Sequence, residues 1–156
     1  MKTHNILSIE EFKRNIENKS RLLGIDPGRK NIGLAICDEN KKVSTPLKII
    51  RKKKFEIFLL EIKDIIEENN IKGIIVGNPI NMDGSLGQSS QSSSDLAKNL
   101  SKNIDLPISL WDERLSTEAS FKFGKKLEEN SSKIVKKLDK NAAAFILQGA
   151  IDYLSK

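Results

Sequence analysis

The stretch Arg21-Leu22-Leu23-Gly24-Ile25-Asp26-Pro27-Gly28-Arg29-Lys30-Asn31-Ile32-Gly33-Leu34-Ala35-Ile36-Cys37-Asp38 consists of two apolar runs parted by a turn. The first run is short and unbroken and ends on an acid, which predicts a buried strand that delivers one carboxylate to a sheet edge. Pro27-Gly28 has turn chemistry, and residues 31–38 form the second strand. A polar turn over residues 38–42 leads to a third strand over residues 43–50. Three successive strands with short turns make an antiparallel meander.

Outward from this meander the apolar period changes. Phe55, Phe58, Leu59, Ile62, Ile65 and Ile66 recur at helical spacing, which predicts an amphipathic helix over residues 53–69. Residues 71–76 are β-branched and apolar and predict a buried strand broken by Gly77-Asn78-Pro79. The Gly- and Ser-rich residues 80–94 predict a substrate-facing loop, followed by a helix over 95–102 and a strand over 108–111. A further helix can begin at residues 115–127, capped by Ser116 or Thr117, and an Ala-rich helix closes the chain over 138–154. Residues 1–20 read as an amphipathic helix or a loose arm, with Ser8 and Glu11 at capping-box spacing. The order β-β-β-α-β-α-β-α-α predicts an α/β fold. Its mixed five-stranded sheet has three antiparallel strands followed by parallel ones, with helices on its faces. The domain boundaries are 1–20 for the arm and 21–156 for the main domain.

The 156 residues suit one domain and exclude a two-domain enzyme. A single Cys and a single His exclude Cys- or His-rich zinc sites and suit a reducing cytosol. No run approaches the roughly 18 apolar residues of a membrane helix, and the N-terminus has no signal-peptide core, so a cytoplasmic protein without membrane contact is expected. A charge of +6 suggests a polyanionic partner or a solubilising surface.

Three acidic positions stand out: Asp26 after the first strand, Asp112 with Glu113 after the last, and Asp139 before the final helix. Each has an ordinary explanation. Asp26 can start a turn, Asp112 and Glu113 can be loop acids beside Arg114, and Asp139 can complement a helix dipole. Together they can also converge at a sheet edge, the usual ligand site of open α/β sheets. Carboxylates without His or Cys select hard ions, Mg²⁺ or Mn²⁺. Two such ions about 3.5–4 Å apart would activate a water and stabilise the leaving oxygen of a phosphodiester. Gly28 permits the turn and can let phosphate approach the backbone, and the loop beginning at Asn78 and Asn81 offers amides and hydroxyls suited to phosphate or sugar. Lysines gather in residues 41–54 and 122–137, where they either contact phosphate or form a solvated face. Aromatics are sparse and Trp111 belongs in the core, so backbone and shape recognition is a better expectation than base stacking.

Four segments resemble the YqgF/RuvX-type family, described as Holliday junction resolvases and as the nuclease that matures the pre-16S rRNA end. They are residues 23–35, residues 75–84 with Asn78, Pro79 and Gly84, residues 111–117 beginning Trp111-Asp112-Glu113-Arg114, and residues 138–148 with Asp139, Asn141 and Gln148. They run in family order over nearly the whole chain. The resemblance implies a ribonuclease H-like fold, with Asp26, Glu113 and Asp139 as the catalytic set that binds Mg²⁺ or Mn²⁺. Asp112 either assists or caps the following helix. The nucleic-acid-binding candidates are Gly28, Arg29, Lys30, Asn78, Asn81, Arg114, Ser116, Thr117, Lys125 and Lys126. The arm of residues 1–20 exceeds the family's usual start, and Pro27 stands where an aromatic residue is common.

The implied activity is metal-dependent endonucleolytic cleavage of structured nucleic acid, first the 5′ end of the 16S rRNA precursor, with ribosomal particles as further partners. The alternatives are resolution of four-way DNA junctions and a non-catalytic RNA-binding factor. Resolution requires two symmetric cuts and hence a homodimer, whereas rRNA processing also suits a monomer. An actin-like kinase, whose first phosphate motif resembles Asp26 with Gly28, needs two such domains, and the chain is too short.

Overall fold

Leu22, Leu23, Gly24 and Ile25 alternate across the sheet and are buried on both sides, as a central strand requires. The computed structural model describes residues 5–79, 87–116 and 142–156. In chain order the elements are β1 (Ile6–Leu7), α1 (Ile9–Asn15), β2 (Arg21–Pro27), β3 (Asn31–Cys37), β4 (Ser44–Arg51), α2 (Phe55–Asn69), β5 (Ile71–Asn78), α3 (Gln88–Asn103), β6 (Ile108–Asp112), a 3-10 turn (Glu113–Ser116) and α4 (Ala143–Leu154). The strand order is β1-β6-β5-β2-β3-β4. β2, β3 and β4 pair antiparallel, while β2 with β5 and β5 with β6 pair parallel.

The meander and the two parallel strands are those the sequence predicts, and the arm adds a sixth. Ile6 and Leu7 pair in parallel with Ile108 and Ser109. Asn5 secures this edge: its side-chain amide donates to Ile104 O at 2.8 Å and Leu106 O at 2.9 Å, and its carbonyl accepts from Ile108 N at 2.8 Å. The capping box at α1 forms, with Glu11 N donating to Ser8 Oγ at 3.2 Å. A two-residue strand carries too little periodicity to be seen in sequence, so its signal was lost in that of the helix.

One face of the sheet is covered by α2 and α3 through Phe58, Ile62, Ile65, Ala97 and Leu100. The other is covered by α1 and α4 through Phe12, Ala143, Ile146, Leu147 and Ile151. The α3 helix begins at Gln88, earlier than the helix predicted over 95–102, so part of the expected loop is helical. Ser90, Ser93 and Ala97 are buried, and their small side chains let the helix lie against the sheet. Ser and Gly carry a loop signal locally, and burial of one helical face overrides it. The helix expected over 115–127 starts as the 3-10 turn, and its remainder lies outside the described residues.

Phe12 is fully buried, and a Cβ at Gly73 of β5 would stand 2.8 Å from its ring. Phe12→Ala is expected to cost about 3 kcal/mol, measured by urea unfolding, because the ring fills a space that little else can close over.

Candidate active site

Asp26 is the last but one residue of β2 and follows the alternation of Leu22 and Gly24 onto the α4 face. Next to β2 runs β5, and beyond it β6, whose last residue Asp112 lies opposite Asn78. Arg114 N donates to Asp112 Oδ1 at 3.0 Å, a cap that turns the chain immediately after β6. Glu113 thereby starts the turn at the same end of the sheet as Asp26, and both line one cleft of about 250 Å³. The strand between them, β5, carries Gly77 at this level. A Cβ there would lie 2.7 Å from Ile146 Cδ1 and 3.4 Å from Glu113 Oε2. The missing side chain leaves space for Ile146 beside the Glu113 carboxylate.

The carboxyls feel this confinement. Burial raises the pKa of Asp26 above its ordinary range. Burial, then the charges of Asp26 and Asp112, pushes Glu113 up to about 7. Asp112 is drawn the other way, below the usual range, chiefly by the Arg114 guanidinium. Arg114 donates from Nε at 3.0 Å and from Nη2 at 2.7 Å. Between the two roles left open for Asp112, the visible one is capping the turn that carries Glu113.

The remaining candidates distribute as follows. Gly28 and Arg29 line the cleft, and Lys30 lines the adjoining groove. Gly28 N donates to Asn31 O at 3.0 Å, and a Cβ at Gly28 would stand 2.3 Å from that oxygen, so only glycine fits this turn. Asn78 accepts from Ser90 Oγ at 2.7 Å and latches the start of α3 to the end of β5. Ser116 ends the 3-10 turn. Asn81, Thr117, Lys125, Lys126 and Asp139 lie outside the described residues. Among the described residues no three acids, cysteines or histidines come together, so the described part of the acidic site is the pair Asp26 and Glu113. Sequence reasoning missed Gly77, read there as a strand breaker; Lys52 and Ser92, which also line the cleft, fell within the basic group of residues 41–54 and the Ser-rich stretch of residues 80–94 without being singled out. Nothing in their local sequence sets them apart; only the register of β5 and the packing of α3 bring them in.

Trp111 is buried, as expected, with its ring 5.6 Å from that of Tyr153. No helix among the described residues is long and apolar enough to cross a membrane.

The pair suits a hard divalent cation. Its donors are oxygen only, and burial of both carboxyls, with the charge of Asp26 on Glu113, raises the cost of ionisation that a bound cation would relieve.

A family model described as RuvX, Holliday junction resolvase, matches residues 20–153. A protein of Pelagibacter ubique named "Putative pre-16S rRNA nuclease" is 56% identical over 150 residues, covering 96% of this chain and 99% of its own. A protein of the same name from Zymomonas mobilis is 40% identical over 152 residues, covering 95% and 93%. Among solved structures, Thermus thermophilus RuvC in complex with a Holliday junction substrate superposes with a TM-score of 0.55 at 12% identity, covering 87% of this chain and 94% of that one. The yeast mitochondrial Holliday junction resolvase Ydc2 gives 0.52 at 13% identity, covering 94% and 84%. At such identities the likeness is one of fold, and that fold is ribonuclease H-like.

A carboxyl whose folded pKa is raised binds its proton more tightly folded than unfolded, so its ionisation subtracts stability as pH rises from its ordinary value to its raised one. For Glu113 that window runs from 4.5 to about 7. In metal-free buffer the stability advantage of Glu113→Gln over the unaltered chain should grow across this window and then level off. Thermal unfolding at a series of pH values checks this; a difference independent of pH would contradict it.

Proposed function

The chain belongs to the RuvX family, and from that membership we propose that it is a divalent-metal-dependent endonuclease acting on structured nucleic acid, with the 5′ end of the 16S rRNA precursor as its substrate. The observation that carries this reading is the convergence of Asp26 and Glu113 on one cleft that also holds Arg29 and Lys52. Acids that can hold a cation stand beside cations that can hold a phosphodiester. The names of the curated relatives favour the rRNA precursor.

Asp26 and Glu113 would hold Mg²⁺ or Mn²⁺, joined by Asp139 from the segment preceding α4. Such an ion, when bound, supplies an activated water and charge stabilisation for the departing oxygen. The chain's own groups supply the rest. Burial and the neighbouring Asp26 charge make ionised Glu113 costly without a counter-charge, and that ionised form is the one that would ligate the cation. Arg29 and Lys52 offset the charge of the bound backbone. Arg114 acts through Asp112 by fixing the turn that presents Glu113.

A second reading, resolution of four-way DNA junctions, is favoured by the description of the matching family model. It uses the same site and requires two symmetric cuts, hence two copies of the chain.

Purified protein with Mn²⁺ should cut a 16S precursor transcript in preference to a four-way junction, and Asp26→Asn should reduce cutting to background. Undiminished cutting by Asp26→Asn would overturn the assignment of the site. Tight, salt-sensitive RNA binding without cutting would favour a non-catalytic RNA-binding factor.

A further inference from the structure

A basic groove of about 620 Å³ lies beside the acidic cleft, lined by Arg29, Lys30, Asn31, Arg51 and Lys52. Four of these five residues are cationic and none is acidic, whereas the acids of the site lie in the neighbouring cleft. The two hollows adjoin: Arg29 and Lys52 line both.

The groove is a built feature of the sheet. Asn31 and Arg51 are cross-strand partners in β3 and β4, and Lys52 N donates to Lys30 O at 2.7 Å. The Gly28–Asn31 turn is closed by its own hydrogen bond and admits no side chain at its first residue. That turn borders both hollows: Gly28 lines the cleft that holds the acids, and Lys30 and Asn31 line the groove that holds none. Neither Arg51 nor Lys52 forms an ion pair with an acid in the described residues; the lysine that does so here is Lys53, with Glu61.

We infer that Arg51 and Lys52, with Arg29 and Lys30, form a phosphate track that receives the backbone of the substrate strand next to the scissile position and fixes its path across the hairpin turn. This deepens the nuclease reading and rests on it. The ligand is the phosphodiester backbone itself. The lining offers guanidinium and ammonium groups and one amide, but no aromatic ring to stack a base, so the track holds any strand and reads no sequence. It also gives the ends of β3 and β4 a role that the carboxylates leave unassigned.

Each backbone phosphate neutralised by a protein cation releases condensed counterions, so losing a contact makes binding less steeply salt-dependent as well as weaker. The test measures binding of fluorescein-labelled RNA and DNA stem-loops across a salt series in EDTA, where no cutting occurs. The chains compared are the unaltered protein, Arg51→Gln/Lys52→Gln, the charge-preserving Arg51→Lys/Lys52→Arg and, away from the groove, Lys63→Gln/Lys98→Gln. Both control lysines are exposed. The groove variant should bind about tenfold more weakly at moderate salt, with a slope of log K against log salt shallower by about 1.5 to 2. The charge-preserving variant should keep the slope, and the loss should be alike for RNA and DNA. Equal effects of the groove and control pairs, or a loss confined to one nucleic acid, would overturn the proposal. Cleavage by the unaltered chain, assayed separately with Mn²⁺, keeps the two claims apart. Absence of cutting with the slope difference intact defeats the nuclease reading alone. Cutting without a slope difference defeats the track alone.

Discussion

Two carboxylates, Asp26 and Glu113, stand at one end of the sheet with β5 between them and share one cleft, and the bare backbone of Gly77 on that strand gives Ile146 room beside Glu113. A Cβ there would stand 2.7 Å from Ile146 Cδ1, which would have to shift, and in contact with Glu113 Oε2 at 3.4 Å. Much of the structure serves this opening. Packing of α4 against β2 is close, with a Cβ at Gly24 standing 2.8 Å from Leu147 Cβ, and Ser92 and Leu96 of α3 line the cleft. The cap from Asp112 turns the chain at Glu113. A site of confined like charges is destabilising in itself, so the sheet must hold Asp26 and Glu113 against their repulsion until a counter-charge arrives.

The order of strands explains how residues far apart in sequence reach one edge. β2, β5 and β6 run parallel, so their carboxyl ends lie together, and Asp26 and Glu113 stand at those ends. The antiparallel meander adds a different resource. Its β2–β3 hairpin projects Arg29 and Lys30 over the same edge, and the end of β4 brings Arg51 and Lys52 alongside. Gln148 of α4 ties the other end of the meander down: it accepts from Ser44 N at 2.9 Å and donates to Lys42 O at 3.0 Å. The helix packed against β2 is thus also bonded to the meander whose far end carries the basic groove.

Much of this was legible in the sequence, for identifiable reasons. The apolar runs over β2, β3 and β5 and the helical period of α2 are long and strong enough to announce themselves, and acids at element ends marked Asp26 and Glu113 before any coordinates. The early start of α3 was hidden because Ser90 and Ser93 speak for a loop locally and are helical only through burial against the sheet. β1 was hidden by its two-residue length. Gly77 looked like a strand ending, since a glycine needed for close approach and one that breaks a strand are alike until the neighbouring strand is placed. The sequence did single out lysines near residue 50, but only the pairing of Asn31 with Arg51 brings Arg51 and Lys52 next to Arg29.

The central claim is that Asp26 and Glu113 together form a divalent-cation site. Crystals of the chain grown with Mn²⁺ and measured at a wavelength where manganese scatters anomalously test it most directly. The account predicts an anomalous peak in contact with the carboxylates of both Asp26 and Glu113. A peak bound elsewhere, with this cleft empty at saturating Mn²⁺, would contradict it.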